Sequence, residues 1–242
     1  SEAAVVGKWT ADGQLQWRRR YEQGLPLRRA TGLAFDGEHG FVYALVSQSG
    51  ISGFGRPIAS RLLRYDTSGQ LLLEVPIAAG EASQERPVGL AADPARIIAL
   101  TWPSKLSYRA IRFNLDSSIA WTRSPSLGLF SPVDASLSPS GRVAIALGGF
   151  SAPFDPEHAQ RFQIDILNPD GSLERAINEG GGFFEGIIAT SFDREEGLFG
   201  AGIAWRNVGA FPRMFDFLAR KYDAAGARLW ELHQHSQAFP VY

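Results

Sequence analysis

The sequence contains no cysteine. Disulfide staples, thiolate nucleophiles and cysteine-ligated metals are therefore excluded. No apolar run approaches the ~18–20 residues of a membrane-spanning helix, so no span is expected. Neither sign of charge is in excess, with 24 Lys and Arg against 25 Asp and Glu and a net charge of −1. That balance provides no long-range field to gather nucleic acid, and no nucleic-acid partner is expected. The runs Arg18-Arg19-Arg20 and Arg28-Arg29 are local exceptions, read as a solvated strand edge. A sustained helical apolar period is also missing, which removes βαβ units. G-x-S-x-G, P-loop, H-E-x-x-H and dinucleotide glycine fingerprints are all lacking. No cofactor or metal is expected. The opening "SEAAVV" has neither a basic nor an apolar signal region, so an export signal is expected to have been removed.

What the chain does have is turn residues and rings, including 26 glycines and 16 phenylalanines. They fall in a repeat. Five segments share one form: "KWTADGQLQW" from Lys8, "LRYDTSGQLLLE" from Leu63, "IRFNLDSSIAW" from Ile111, "IDILNPDGSLER" from Ile164 and "RKYDAAGARLW" from Arg220. Each is an alternating apolar run, a polar turn and a second alternating run. The turn position is Gly13, Gly69, Ser117, Gly171 and Gly226, at steps of 56, 48, 54 and 55 residues. Asp or Asn with Gly supplies the positive φ of tight hairpins. Trp17, Trp121 and Trp230 recur at comparable points, which reads as a packing slot. Between these hairpins lie "TGLAFDGEHGFVYALV", "VGLAADPARIIALTW", "VDASLSPSGRVAIALG" and "IIATSFDREEGLFGAGIAW". They are rich in Gly, Ala and Ser, as strands crowded near an axis are.

Four strands per repeat, small inside and large outside, describe blades of a β-propeller. The expected fold is all-β, with four complete repeats plus an N-terminal hairpin. A five-blade ring is preferred over a four-blade ring or a fragment of a larger propeller. Residues 1–242 are expected to form a single domain, with a half blade over 8–23 and repeat units near 31–75, 88–123, 133–177 and 187–233.

"FLARKYDAAGARLWEL" and "KWTADGQLQWRRRYEQG … ATGLAFDGEHGFVYALVSQSG" resemble bacterial SBBP-type β-propeller repeats. Quinoprotein-type repeats share the "D-x-x-G-x-x-x-W" flavour. The chain departs from the SBBP pattern at Ser117, which replaces Gly, and at Glu174 and Arg175, where a Trp would stand. The resemblance implies a secreted, periplasmic or cell-envelope bacterial protein without a conserved chemistry.

In a propeller, the loops joining second to third strands share a face with those joining blades. Here they hold many rings. The candidate binding residues are Phe54, Arg56, Trp102, Phe150, Phe154, Trp205, Arg206 and Phe211, with Phe183 and Phe184 in "EGGGFFEG". Aromatics and arginine mark partner interfaces. The alternative is that long loops fold over the ring and bury their own rings. Catalytic sets are thin. His39 reads as a turn residue, and His233 and His235 as surface positions on a strand. Glu179 and Glu185 could form a carboxylate pair. Asp155, Glu157, His158 and Asp134 would make a site only by pointing inward together.

The leading expectation is thus a non-catalytic recognition or scaffold module. It would bind a protein partner or a larger envelope complex through aromatic loops, with a glycan as another ligand. The competing expectations are an enzyme, a lyase or hydrolase acting on a glycan or lactone in the axial cavity, and a structural subunit of an envelope assembly.

Overall fold

The computed structural model describes residues 3–21, 27–49, 57–79, 85–104, 107–126, 130–149, 162–179, 185–208 and 211–235. The repeated turns are five copies of one closure. At the second, the N–H of Asp66 donates to the Gln70 carbonyl at 3.0 Å and that of Gly69 to the Asp66 carbonyl at 3.1 Å. Thr10, Asn114, Asn168 and Asp223 begin the same pair of bonds. The carboxylate of Asp66 explains its choice, since Oδ1 accepts from the N–H of both Ser68 and Gln70 at 2.8 Å. The residue before the turn closes has positive φ, between 80° and 85° at Gly13, Gly69, Gly171 and Gly226, and 70° at Ser117.

By contact the chain divides into two units, Ser1–Ser126 and Leu127–Tyr242. The first begins with a hairpin of β1 (Ala4–Trp9) and β2 (Leu15–Tyr21). Blade I follows as β3 (Leu27–Asp36), β4 (Phe41–Ser49), β5 (Pro57–Tyr65) and β6 (Leu71–Ala79). Blade II is β7 (Arg86–Ala92), β8 (Ile97–Ser104), β9 (Ser107–Phe113) and β10 (Ile119–Arg123). The second unit holds blade III, formed by β11 (Phe130–Leu137), β12 (Val143–Gly149), β13 (Phe162–Leu167) and β14 (Leu173–Glu179). It also holds blade IV, formed by β15 (Glu185–Phe192), β16 (Leu198–Val208), β17 (Phe211–Tyr222) and β18 (Arg228–His235). Every blade is an antiparallel meander in sequence order. Among the described residues, no helix is long and apolar enough to cross a membrane.

Strand alternation gives each blade two faces, and apolar residues on facing sides make the cores. Ala4, Val6, Trp17 and Tyr21 of the hairpin pack on Val42, Ala44, Leu63 and Tyr65 of blade I. The opposite face of blade I offers Tyr43, Leu45 and Leu62 to Ile97, Ile111 and Phe113 of blade II. In the second unit, Phe162, Ile164 and Ile166 of blade III meet Leu198, Leu218 and Tyr222 of blade IV. Hydrogen bonds about one repeat apart reinforce this. Trp17 Nε1 donates to the Thr67 carbonyl at 3.0 Å, and Arg64 Nη1 to the Leu115 carbonyl at 2.8 Å. Arg175 Nη1 donates likewise to the Ala225 carbonyl.

Two of the loops expected to hold candidate residues, one around Trp102 and one around Trp205, Arg206 and Phe211, are mostly strand. In 101–109, β8 runs to Ser104 and β9 starts at Ser107. In 204–216, β16 and β17 pair as far as Val208 with Phe211. Proline suggested the breaks. Pro103, however, sits where the register shifts between Thr101 and Ser104, so a missing N–H costs the ladder little there.

Candidate functional site

The first strand of every blade carries a β-bulge at the same place. The register skips between Ala30 and Gly32, Pro87 and Gly89, Pro132 and Asp134, and Ile187 and Ala189. The extra residues are Thr31, Val88, Val133 and Ile188. The residue after the bulge is crowded in blade I: a Cβ built on Gly32 would stand 2.8 Å from Cβ of Leu90. Gly32, Gly89 and Ala189 suit such a position, but blade III places Asp134 there. Bulges re-aim side chains and often lie beside active sites. Here one re-aims a carboxylate.

Asp134 reaches the neighbouring first strand. Its Oδ2 accepts from the Thr190 N–H at 2.8 Å and from Thr190 Oγ1 at 3.5 Å. Ser136 Oγ donates to Thr190 Oγ1 at 3.1 Å, which completes a row of one acid and two hydroxyls. Thr190 is buried, while Ile188 beside it is 52% exposed. Burial pushes the Asp134 carboxyl above the usual carboxylate range, and N–H groups of Thr190 and Ala135 only partly offset this. A half-buried carboxyl biased toward its protonated form can give a proton to a substrate and take it back.

Two other buried charges, Glu85 and Arg220, are committed to partners. Glu85, just ahead of β7, accepts from Thr101 Oγ1 at 3.1 Å and from Arg109 Nη2 at 2.6 Å. Burial raises its carboxyl and the Arg109 charge opposes that rise. Arg109 also donates to the Ile77 carbonyl at 2.6 Å, so this group ties blade II to blade I. In blade IV, Arg220 pairs with Glu179 at 2.9 Å and with Glu231, and lies 5.0 Å over the Phe162 ring. Among the described residues, no three His, Asp or Glu side chains converge as a metal-ligand set.

The residues singled out in the sequence are dispersed. Phe54, Arg56, Phe150, Phe154, Phe183 and Phe184 lie outside the described residues, as do Asp155, Glu157 and His158. Trp102 is on β8 opposite Arg86, with its indole N–H buried and without an acceptor among the described residues. Trp205 and Arg206 are on β16 opposite Phe215 and Met214, and Phe211 is on β17 opposite Val208. His39 lies against Asp36 at 2.7 Å, and His233 against Glu231 at 2.7 Å. Glu179 is engaged by Arg220 and Arg228, and Glu185 begins β15. Sequence reading passed over Thr190 and Ser136. Superposing the four first strands would have exposed the signal, a carboxylate in a column of Gly, Gly and Ala.

No protein-family model matches the chain, and no curated protein matches it. Solved structures do. A mutant of the apocarotenoid oxygenase of Synechocystis is similar with a TM-score of 0.52 at 11% identity, covering 89% of this chain and 51% of that one. The lignostilbene dioxygenase of Pseudomonas brassicacearum is similar with a TM-score of 0.51 at 13% identity, covering 86% and 51%. The chain thus spans about half the length of these proteins. At such identities the likeness shows the fold, a β-propeller of four-stranded blades. The expected non-catalytic recognition module is corrected on this point. These two similar propellers are enzymes, an oxygenase and a dioxygenase, and not recognition modules.

Proposed function

We propose that the chain is an enzyme working at its first strands, a hydrolase or lyase in which Asp134 is the acid–base group and the substrate is an uncharged lactone or related ester. The observation that carries this reading is the Asp134 carboxyl itself, set by a bulge where the other blades have Gly or Ala and raised by burial. Its neighbours Val133, Ile188, Ser136 and Thr190 are uncharged, which suits a neutral molecule. A single acid suffices for ester opening. Glycosidases use two carboxylates about 5–9 Å apart, and Glu179, one of the expected pair, is held by two arginines.

In ring opening, a water oxygen bonds to the acyl carbon and the ring carbon–oxygen bond breaks. The Asp134 proton passes to the departing ring oxygen, and the water proton returns to Asp134. Lactone and water become a hydroxy acid, and the enzyme is unchanged. Thr190 would keep the carboxyl aimed through its N–H, with Ser136 fixing the threonine hydroxyl. Kinship with SBBP-type repeats, an exported bacterial setting and a place in a larger envelope complex belong to the same proposal. They are supported by the repeat motif.

The test is pH-stat titration over γ- and δ-lactones and aryl esters, with Asp134→Asn as the control. Asparagine keeps an acceptor for the Thr190 N–H but carries no titratable proton. The expected result is turnover by the natural chain and a loss of at least about 100-fold in the variant, with cooperative unfolding of the variant showing that it is folded at the assay pH. Turnover of none of these substrates, or equal rates for both proteins, would overturn the reading.

A further inference from the structure

Residues that match in strand register are covered in blades I and III and open in blade IV. The third strand ends opposite the start of the second in each case: Tyr65 with Val42, Leu167 with Val143 and Tyr222 with Leu198. From that anchor Ala144 matches Phe199, Phe162 matches Phe217, and Ile177 matches Leu232. Blade III buries its three against Leu198, Leu218 and Tyr222 of blade IV. In blade I the counterparts are Tyr43, Ser60 and Val75; Tyr43 is buried and Val75 partly buried against blade II, and Ser60 is buried. On blade IV, Phe217 is 47% exposed and Leu232 51%.

A second observation points the same way. Trp17, Arg175 and Trp230 occupy one register position, opposite Lys8, Ile166 and Lys221. Trp17 is 6% exposed and donates to the turn carbonyl of Thr67, in the next blade. Arg175 donates to the turn carbonyl of Ala225, also in the next blade. Trp230 is 43% exposed. The charge on this face is already compensated, since Lys221 pairs with Asp193 at 3.0 Å and lies 4.9 Å over the Phe199 ring.

We propose that the open face of blade IV is a blade-docking surface whose occupant is a further four-stranded blade of this repeat. Its turn would lie over Trp230 as the turn of blade I lies over Trp17. A second copy of this chain does not fit the face. In both units, the face that carries these residues meets the opposite face of the following blade, with apolar residues such as Leu198 and Leu218. The corresponding outward side of the β1–β2 hairpin is two strands wide and exposes Arg18 and Arg20 beside Val5.

The chain lacks cysteine, so a single thiol reports on the face. Leu232→Cys is introduced into the full chain and into a version with a second copy of residues 180–235 inserted after His235. The expected result is rapid maleimide labelling in the first and labelling at least about 100-fold slower in the second, by the logic that local opening limits access. Replacing Leu198 and Leu218 of the inserted copy with Asp should restore fast labelling. Equal labelling in the natural and extended chains would overturn the proposal. So would slow labelling in the natural chain with a dimer by light scattering, which would make a second copy the occupant.

Discussion

Gly69 lies beneath the indole of Trp17, and a Cβ built on it would stand 2.7 Å from the ring. The glycine therefore serves two ends, a φ of +80° for its own hairpin and room for a side chain one repeat earlier. Gly226 has the same φ class, and a Cβ there would stand 3.2 Å from Arg175. The turn of one blade is the seat of another.

Gly13 separates these two roles, because its φ is +84° but nothing lies within 4 Å of its Cβ position. Gly13→Ala should cost about 1 kcal/mol, the price of a left-handed alanine. Gly69→Ala should cost about 1–3 kcal/mol more, since the indole must shift. Urea unfolding of both variants checks the difference, and equal costs would count against the seat.

Ser117 and Glu196 are the two non-glycine residues with positive φ among the described residues, at 70° and 67°. Ser117→Gly should stabilise by about 0.5–1 kcal/mol, or about 2–4 °C per kcal/mol at this length. Glu196→Gly should do the reverse despite the similar angle. Its carboxylate accepts from the Ser140 N–H at 2.6 Å and from Arg142 Nη2 at 2.9 Å, and losing charged bonds costs about 1.5–3 kcal/mol each. Calorimetry of the pair reads the opposite signs.

Asp134→Asn should change stability with pH in a defined direction. Burial raises the native Asp134 carboxyl above its unfolded value. Its contribution is therefore complete below the unfolded pKa and is lost as pH rises through the native one. Asparagine does not titrate, so the variant should gain on the natural chain as pH rises from about 4 to 8. Melting curves across that range would contradict the assignment if the natural chain gained on the variant instead.

Arg220 is buried between Phe162, Glu179 and Glu231. Arg220→Met should cost about 1.5–3 kcal/mol, because Glu179 and Glu231 lose the buried guanidinium and keep the exposed Arg228. Burial alone would raise Glu231, but hydrogen bonds from Arg220 and His233 and the nearby guanidinium charges bring it below the usual range. A lowered carboxyl contributes above its unfolded pKa and loses that contribution as pH falls through the native one. The deficit of the variant should therefore shrink in acid. Denaturant titrations at two pH values test both statements.

The blades were legible because turn chemistry and alternation are local. Asp66 through Gln70 close their hairpin with their own atoms, and the same five-residue logic repeats down the chain. Strand ends were less legible, as at Trp102 and Trp205, where proline and glycine suggest loops but ladder pairing continues. The candidate site was hidden for another reason. Asp134 looks like any strand carboxylate until Thr190, 56 residues later, is brought to it. Likewise Trp17 and Trp230 look alike in sequence and differ in exposure, because only the first has a turn seated on it.

The shared bulge changes how these strands can be engineered. Beyond Thr31, Val88, Val133 and Ile188 the odd–even count is offset by one, so a mutagenesis library built on plain alternation would randomise the packed side while sparing the open one. The irregular residue has no partner in the strand register, although the Thr31 hydroxyl donates to the Leu45 carbonyl at 3.2 Å. Val88 is the copy that can be exchanged most freely, since Val133 and Ile188 flank the Asp134–Thr190 pair and Thr31 bonds to the paired strand.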